Sequence, residues 1–308
     1  MSTWLVTGGA GFIGSHIVEE LLEHGEKVVI LDNLSTGKPS TLRLFGSRAR
    51  FIRGDIRNPS AVRRALRGIR FVSHQAALRS VPRSIDDPLG SNEVNVTGTL
   101  TLLWEALKAR VQRVVYASSS SVYGDSGEIP QSEAQRPSPV SPYAVSKLAG
   151  EHYCRVFAKT FGLETASLRY FNVFGPRQDP RSRYAAVIPI FMKAAREGKP
   201  LPVEGDGRQS RDFTFVKNVA RANRLAARAP RAAGESFNIA CGESHSVIEL
   251  AREVSRLSGR PLSVRRKPPR IGDVRRTFAD VSKARRLLGL KGLVTFRQGL
   301  ALTWQAFK

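Results

Sequence analysis

The run Tyr143-Ala144-Val145-Ser146-Lys147 holds the two side chains of this sequence best suited to chemistry. On a helix, residues at i and i+4 project from one face, so the Tyr143 phenol and the Lys147 ammonium can act together. A free phenol holds its proton up to a pH of about 10, and a nearby cation favours the phenolate. The spacing therefore predicts that Lys147 turns Tyr143 into a general base near neutral pH, an effect that an oxidised nicotinamide would reinforce. Ser119, within Ser118-Ser119-Ser120-Ser121-Val122-Tyr123-Gly124 at the end of a predicted strand, can bridge a substrate oxygen and that phenol. Four adjacent serines compete for the one role.

A Tyr-x-x-x-Lys pair is common on surface helices, and it gains meaning here from a second constellation. The predicted strand Leu5-Val6-Thr7 runs into Gly8-Gly9-Ala10-Gly11-Phe12-Ile13-Gly14, and an amphipathic helix follows. Glycines 8, 11 and 14 allow a tight turn, close approach of a pyrophosphate and close helix–sheet packing, with the helix N-terminus facing the phosphates. Asp32 closes the second predicted strand, where a carboxylate can accept hydrogen bonds from a ribose with a free 2′-hydroxyl. NAD is expected over NADP, since Asn33 follows and no Arg lies beside Asp32 to meet a 2′-phosphate, Lys38 being the next cation along the chain. Asp55 and Ile56, after the third strand, are expected beside the adenine.

The elements that must position these groups alternate along the chain. Apolar runs at Leu5–Thr7, Val28–Leu31, Phe51–Ile52, Phe71–Ser73 and Val114–Ala117 interleave with helical patterns at Ile13–Glu23, Ser60–Leu66 and Leu100–Ala109. Such βαβ repetition predicts an α/β fold, a Rossmann-type doubly wound parallel sheet with ligands at the carboxyl ends of its strands. The pattern loosens after about Leu168, where Pro and Gly recur. Residues 1–168 are read as an NAD-binding domain, with contributions from later segments, and 169–308 mainly as a smaller C-terminal α/β substrate lobe. That lobe is expected to hold helices at Ala186–Glu197, Val216–Ala227, Val247–Leu257, Ser282–Leu288 and Phe296–Phe307.

Composition bounds the class. The 308 residues are 41% hydrophobic and 24% charged, within the range of soluble globular proteins, and no apolar run is long enough to span a bilayer. The N-terminal residues carry no secretory pattern, and Cys154 and Cys241 form neither a disulfide framework nor a metal cluster, so a cytoplasmic protein without a metal site is expected. The net charge of +23 raises the question of nucleic acid. Its arginines are spread along the chain without a dense tail, so a basic surface that attracts an anionic substrate is the stronger reading and a nucleic-acid partner the weaker.

These motifs resemble the extended short-chain dehydrogenase/reductase family from Trp4 to about Gly299. Within it, Tyr170-Phe171-Asn172-Val173-Phe174-Gly175-Pro176, Ser210-Arg211-Asp212-Phe213 and Gly272-Asp273-Val274-Arg275 are similar to segments of UDP-hexose 4-epimerases. The stretch from His74-Gln75-Ala76-Ala77 through Ser80-Val81-Pro82-Arg83-Ser84 is similar to the branch acting on UDP-N-acetylhexosamines. The resemblance implies that Ser119, Tyr143 and Lys147 are catalytic. It implies that NAD is held by Gly8, Gly11, Phe12, Ile13, Gly14, Asp32, Asn33, Asp55, Ile56, Gln75, Ala76, Ala77, Asn95, Tyr143, Lys147 and Tyr170. A UDP-sugar would meet Ser80, Ser119, Ser120, Ser121, Asn172, Val187, Arg211, Arg270, Asp273 and Thr277. Arg211 and Arg270 would grip the diphosphate together with Asn172, Asp273 the uridine ribose, and Val187 the uracil.

The implied reaction is inversion at C4 of a UDP-hexose through a 4-keto intermediate. Dehydratases of the family carry an Asp-Glu pair where Ser120 and Ser121 stand, and UDP-glucuronate decarboxylases carry Glu at the latter, which leaves epimerisation as the simpler expectation. Thr277 stands where a bulky aromatic residue is thought to exclude a 2-acetamido group, so interconversion of UDP-GlcNAc and UDP-GalNAc is expected, with UDP-Glc and UDP-Gal as further candidates. Arg79 departs from the small residue usual in that branch, and a cation there could intrude on the sugar or favour a uronate; Val216-Lys217-Asn218 departs as well. UDP-glucuronate 4-epimerisation, another nucleotide-sugar modification, and a non-catalytic nucleotide sensor or RNA-binding protein on the same fold are the alternatives. Relatives commonly dimerise through a four-helix bundle, here expected from Thr97–Ala109 and Tyr143–Thr160.

Overall fold

The computed structural model describes residues 2–125, 127–181, 185–268 and 275–307. Seven parallel strands form its central sheet: β1 (Thr3–Thr7), β2 (Lys27–Asp32), β3 (Ala49–Arg53), β4 (Phe71–His74), β5 (Arg113–Ser119), β6 (Glu164–Tyr170) and β7 (Glu235–Ile239). They lie side by side in the order β7-β6-β5-β4-β1-β2-β3. The chain order reverses on either side of β1, and at such a switch point the loops leaving the carboxyl ends splay apart into a crevice.

The strands are apolar along most of their length because both sheet faces are covered. Along β1 and β2 the side chains alternate between two cores. Trp4, Val6, Val28 and Ile30 pack with Ile17, Val18 and Leu21 of α1 (Phe12–Glu23). Leu5, Val29 and Leu31 pack on the other face, with Val62 and Ala65 of α2 (Pro59–Ala65), Leu102 and Ala106 of α3 (Gly98–Lys108), and Cys154 and Phe157 of α4 (Pro142–Phe161).

A smaller lobe gathers around Phe174, Phe191, Phe213, Phe215, Leu250 and Phe296. It contains α5 (Val187–Arg196), α7 (Val247–Ser258), α9 (Phe296–Ala306) and short strand pairs such as Leu201–Glu204 with Val264–Lys267. Two helices grouped with this lobe from sequence belong elsewhere. Val219, Ala220, Ala222 and Ala226 of α6 (Val216–Ala226), and Ala284 and Leu288 of α8 (Ser282–Leu288), lie in the core that covers the α1 face of the sheet. The small-residue stripe of α6 is what lets it sit close to α1. Among the described residues no helix is long and apolar enough to cross a membrane.

One buried polar chain ties the sheet to the loops above it. Thr99 Oγ donates to the Asn95 carbonyl at 2.6 Å and so must accept from His74 Nε2 at 2.9 Å. His74 Nδ1 then accepts the Thr7 hydroxyl at 2.7 Å, while Thr7 Oγ accepts the backbone N–H groups of Gln75 and Ala76. Every ring nitrogen of His74 is used in its neutral form, and burial lowers the imidazole's pKa to about 3.

The unfolded histidine takes up a proton below about pH 6.5 and the folded one does not, so this contribution to stability is full above that pH and declines as the pH falls toward 3. Urea unfolding at pH 7 and pH 5 is expected to show His74 contributing a loss of about 2 kcal/mol over that interval. His74→Gln, less stable at pH 7, should lose less on acidification than the parent; an equal loss would contradict the assignment.

Candidate active site

Tyr143 and Lys147 occupy the first turns of α4, and local sequence explains why the helix starts there. Ser141 is its N-cap, its hydroxyl accepting the Ala144 N–H at 3.2 Å, and Pro142 fills the first turn, where no intrahelical donor is needed. Gly162 ends the helix in the left-handed region at φ 74°. Two further contacts hold the Tyr143 backbone: its N–H donates to Ser84 Oγ at 3.0 Å and its carbonyl accepts the Ser146 hydroxyl at 2.7 Å, while Ser146 Oγ in turn accepts from Asn95 Nδ2 at 3.0 Å. Asn95 also brackets Leu78, accepting its N–H at 2.8 Å and donating to its carbonyl at 3.0 Å. It lies in a π-helical turn, Glu93–Thr97, a local widening often found at functional sites.

The choice among the four serines is made by contacts. Ser118 is buried and donates to Glu151, which forms a two-pronged ion pair with Arg169 at 2.7 and 2.9 Å beneath the sheet end. Ser119 lines the same cleft as Tyr143, and its hydroxyl opposes the effect of burial on the phenol. Its oxygen also contacts the Ser121 hydroxyl at 3.1 Å and accepts the Ser121 N–H at 3.2 Å.

The electrostatics differ from the sequence expectation. Burial raises the Tyr143 pKa above its ordinary value, opposed by the Ser119 hydrogen bond and by the positive charge of Arg79. Lys147 is buried, with Nζ 6.0 Å from the centre of the Tyr143 ring and donating to the Ala117 carbonyl at 2.8 Å. Desolvation brings its pKa down to about 8. The ammonium is thus tethered to the sheet, and the groups that oppose burial at the phenol are Ser119 and Arg79. The ammonium has three hydrogens, so one bond to Ala117 leaves donors for a cofactor ribose.

These groups line one wall of a cleft of about 390 Å³ that continues over the crevice at β1. Gly8, Gly11, Phe12, Ile13, Gly14, Asp32, Asn33, Asp55, Ile56, Gln75, Ala76, Ala77, Tyr170 and Asn172 line it too, with Ser119, Ser120 and Ser121. A dinucleotide fits what is built there. Gly8 has φ 70°, and a Cβ on it would lie 2.8 Å from the Ala76 nitrogen; a Cβ on Gly14 would collide with the Gly8 carbonyl. The turn can therefore be made only by a bare backbone, and α1 follows its N-cap Gly11 with no side chain capping its N–H groups and no acid in its first turn. Free donors at the positive end of a helix dipole suit a pyrophosphate.

Asp32 is buried at the end of β2, accepting N–H groups from Ala10 at 3.0 Å and Leu34 at 2.8 Å, and burial raises its pKa. Lys38, the cation that could have met a 2′-phosphate, is engaged with Asp179 at 2.7 Å. Asp55 accepts from Asn33 at 2.9 Å and from both prongs of Arg57, whose hydrogen bonds hold its pKa at about 2.

Tyr170 is gripped by a residue that sequence reading passed over. Asn223, buried in the apolar stripe of α6, donates to the Tyr170 hydroxyl at 2.8 Å and accepts from Ser73 and Gln75. An uncharged polar residue amid Val219, Ala220, Ala222 and Ala226 was the available signal, since a buried amide must find partners. Ser84 gave no signal of its own.

The expected sugar-nucleotide residues are less concentrated. Asn172 lines the cleft at φ 35° and donates to Thr277 Oγ1 at 3.0 Å and to the Asp212 carbonyl at 3.1 Å. Thr277 thus stands directly behind Asn172. Ser80 lies beside the cleft as the N-cap of the helix Val81–Asp86, and Val187 opens α5 next to Ala186, which lines the cleft. Arg211 lies on the short strand Ser210–Arg211, donating to the Ser210 carbonyl at 2.8 Å. Arg270 and Asp273 lie outside the described residues.

Comparison with known proteins agrees with this geometry. Residues 4–240 match the NAD dependent epimerase/dehydratase family. The chain is 38% identical to the UDP-glucose 4-epimerase of Mycolicibacterium smegmatis, with 99% of this chain and 98% of that protein covered. Among solved structures it is similar to the UDP-N-acetylglucosamine 4-epimerase of Methanobrevibacter ruminantium in complex with UDP-N-acetylmuramic acid, at 38% identity and a TM-score of 0.95, covering 99% and 98% of the two chains. The UDP-glucose 4-epimerase of Thermus thermophilus in complex with NAD is similar at 40% identity and a TM-score of 0.90, covering 99% of this chain and 98% of that one. With its glycine turn, its Asp32 and its Ser119, Tyr143 and Lys147 set on one doubly wound sheet, this chain belongs to the NAD dependent epimerase/dehydratase family.

Proposed function

We propose that this protein inverts C4 of UDP-hexoses, interconverting UDP-GlcNAc and UDP-GalNAc and also accepting UDP-Glc and UDP-Gal, in the cytoplasm. The observation that carries the reading is the placement of Ser119, Tyr143 and Lys147 together on the wall of a cleft built for a dinucleotide. When bound, NAD supplies a site that takes hydrogen from C4 and returns it. Ser119 and Tyr143 handle the oxygen: the phenolate of Tyr143 accepts the 4-hydroxyl proton and gives it back, and the Ser119 hydroxyl orients that oxygen. Lys147, tethered by Ala117, sets the helix face against the cofactor.

The family includes dehydratases, and the residues present argue against elimination. Among the described residues lining the cleft the only carboxylates are Asp32 and Asp55, at the β2–β3 end, while Ser120 and Ser121 occupy the positions beside the reacting oxygen. No acid stands there to remove a second proton. A second reading, a UDP-glucuronate, is favoured by Arg79, a cation on the same wall. Incubation with UDP-GlcNAc, UDP-Glc and UDP-GlcA separately, with the C4 configuration read by NMR, distinguishes the substrates. Inversion of UDP-GlcA alone would overturn the hexose reading.

A homodimer is part of the same proposal. Trp104 on α3 and Val145, Val156 and Phe161 on α4 are large apolar residues left exposed on neighbouring helices, as a surface paired with a second copy would be. Sedimentation equilibrium is expected to give twice the mass of one chain; the mass of a single chain at micromolar concentration would contradict pairing.

Tyr143→Phe is expected to retain NAD and to lose at least about 100-fold in kcat; parental kcat would refute the base. Thr277→Tyr is expected to impair the acetylated sugars selectively. Because the Thr277 hydroxyl also anchors Asn172, Thr277→Ser is the matched control and should preserve both activities. Equal loss on acetylated and plain sugars in Thr277→Tyr would remove Thr277 as the gate.

A further inference from the structure

A second phenol lines the cleft besides Tyr143, and its hydroxyl is already committed. Tyr170 stands at the end of β6, with Gln75 from the loop after β4 on the same cleft wall. The Tyr170 oxygen accepts from Asn223 Nδ2 at 2.8 Å and donates to Gln75 Oε1 at 3.3 Å. That direction fixes the Gln75 amide, whose Nε2 donates to Ser73 Oγ at 3.0 Å and to Asn223 Oδ1 at 3.2 Å. Ser73 closes the ring by donating to Asn223 Oδ1 at 3.0 Å.

Asn223 is the centre of this ring. A side-chain amide offers two hydrogens and an oxygen with two lone pairs, and here all four are used: one hydrogen goes to Tyr170, the other to the Val219 carbonyl at 2.8 Å, and the oxygen accepts from Ser73 and Gln75. The residue is fully buried on the α6 face that packs against the sheet. Burying an amide in an apolar stripe carries a desolvation cost that its hydrogen bonds only offset, so packing alone gives no reason for an asparagine among Val219, Ala220, Ala222 and Ala226. What the bonds accomplish is to join β4 and β6 across β5, the strand that ends at Ser119. The other buried asparagine of α6, Asn218, serves elsewhere: it exchanges two hydrogen bonds with the Val294 backbone, each at 2.9 Å, and neither residue lines the cleft.

We propose that Asn223 is a positioning residue for the cofactor: through Tyr170 and Gln75 it holds the wall between β4 and β6 in a single hydrogen-bonded arrangement, a rigid seat for the nicotinamide end of the dinucleotide. The role rests on the reading that Tyr170 borders the nicotinamide. Asn223 touches neither cofactor nor substrate, since it lies behind the cleft wall and acts through the two side chains that face the cleft. A ring that takes hydrogen from C4 and returns it must keep its place while the sugar turns, and small displacements of reacting groups are costly.

The test reads the seat by fluorescence. In holoenzyme carrying NADH, the emission of the bound nicotinamide and the rate at which NADH leaves into an excess of NAD are measured. Asn223→Leu, similar in shape and without hydrogen-bonding groups, is expected to weaken the emission and to speed release about fivefold. Asn223→Ser, polar but too short to hold Tyr170, should do the same and takes its place if leucine disturbs folding. Asn218→Leu, an equal loss of a buried amide from the same helix, should lower stability and leave both readouts at the parental values. In a Tyr170→Phe background the Asn223 substitution should add less than it does alone, because part of its route is already cut. Parental emission and release in both Asn223 variants overturn the proposal, as do matching changes in Asn218→Leu, parental readouts in Tyr170→Phe, or effects at Asn223 and Tyr170 that simply multiply. Altered emission and release in the Asn223 variants of a protein whose parent form epimerises no UDP-sugar support the seat and refute the proposed reaction instead.

Discussion

Burial opposes the ionisation on which this site depends. A phenol shielded from water holds its proton more tightly, yet only a shielded phenol can exchange a proton with a sugar hydroxyl away from competing solvent. The rest of the site can be read as a response to that opposition: a hydroxyl from Ser119, a guanidinium from Arg79, a tethered ammonium at Lys147 and space for a cationic nicotinamide. None of these groups is useful unless it is fixed, because an electrostatic effect of this kind falls away with a small displacement.

The fixing is done by short polar side chains. Thr7, His74, Thr99, Asn95 and Ser146 form a continuous hydrogen-bonded series from the end of β1 to the Tyr143 carbonyl. At its β1 end the Thr7 hydroxyl holds Gln75 and Ala76, which face the glycine turn. The same network therefore sets both the cofactor loop and the base. A neutral His74 is essential to it, since a second ring proton would face a hydroxyl already donating into the ring. The glycine turn adds a steric constraint, with Gly8 against Ala76 and Gly14 against Gly8 leaving no room for a side chain.

Much of this was legible in the sequence because the signals are local. Gly8, Gly11 and Gly14 before an amphipathic helix, Asp32 after an apolar run, and Tyr143 one helical turn before Lys147 each carry their meaning within a few residues. Ser119 was legible only as one of four, since the choice depends on Glu151 claiming Ser118 from another helix. The tether of Lys147 to Ala117 is a contact between segments distant in sequence, and periodicity says nothing of it. For the same reason α6 and α8 were grouped with the second lobe: their amphipathic pattern shows that one face is buried, without showing against what. The sugar-nucleotide residues were the least legible group, being scattered over Asn172, Val187, Arg211 and Thr277 on separate short elements.

The central claim is that the O–H proton and the C–H hydrogen of one carbinol leave by separate routes, the first to Tyr143 and the second within the cleft. The most direct measurement uses UDP-GlcNAc carrying deuterium at C4, in ordinary water, with the product analysed by NMR and mass spectrometry. The account predicts UDP-GalNAc with the deuterium still on C4 in the inverted configuration. Product that has exchanged that deuterium for solvent hydrogen would contradict it.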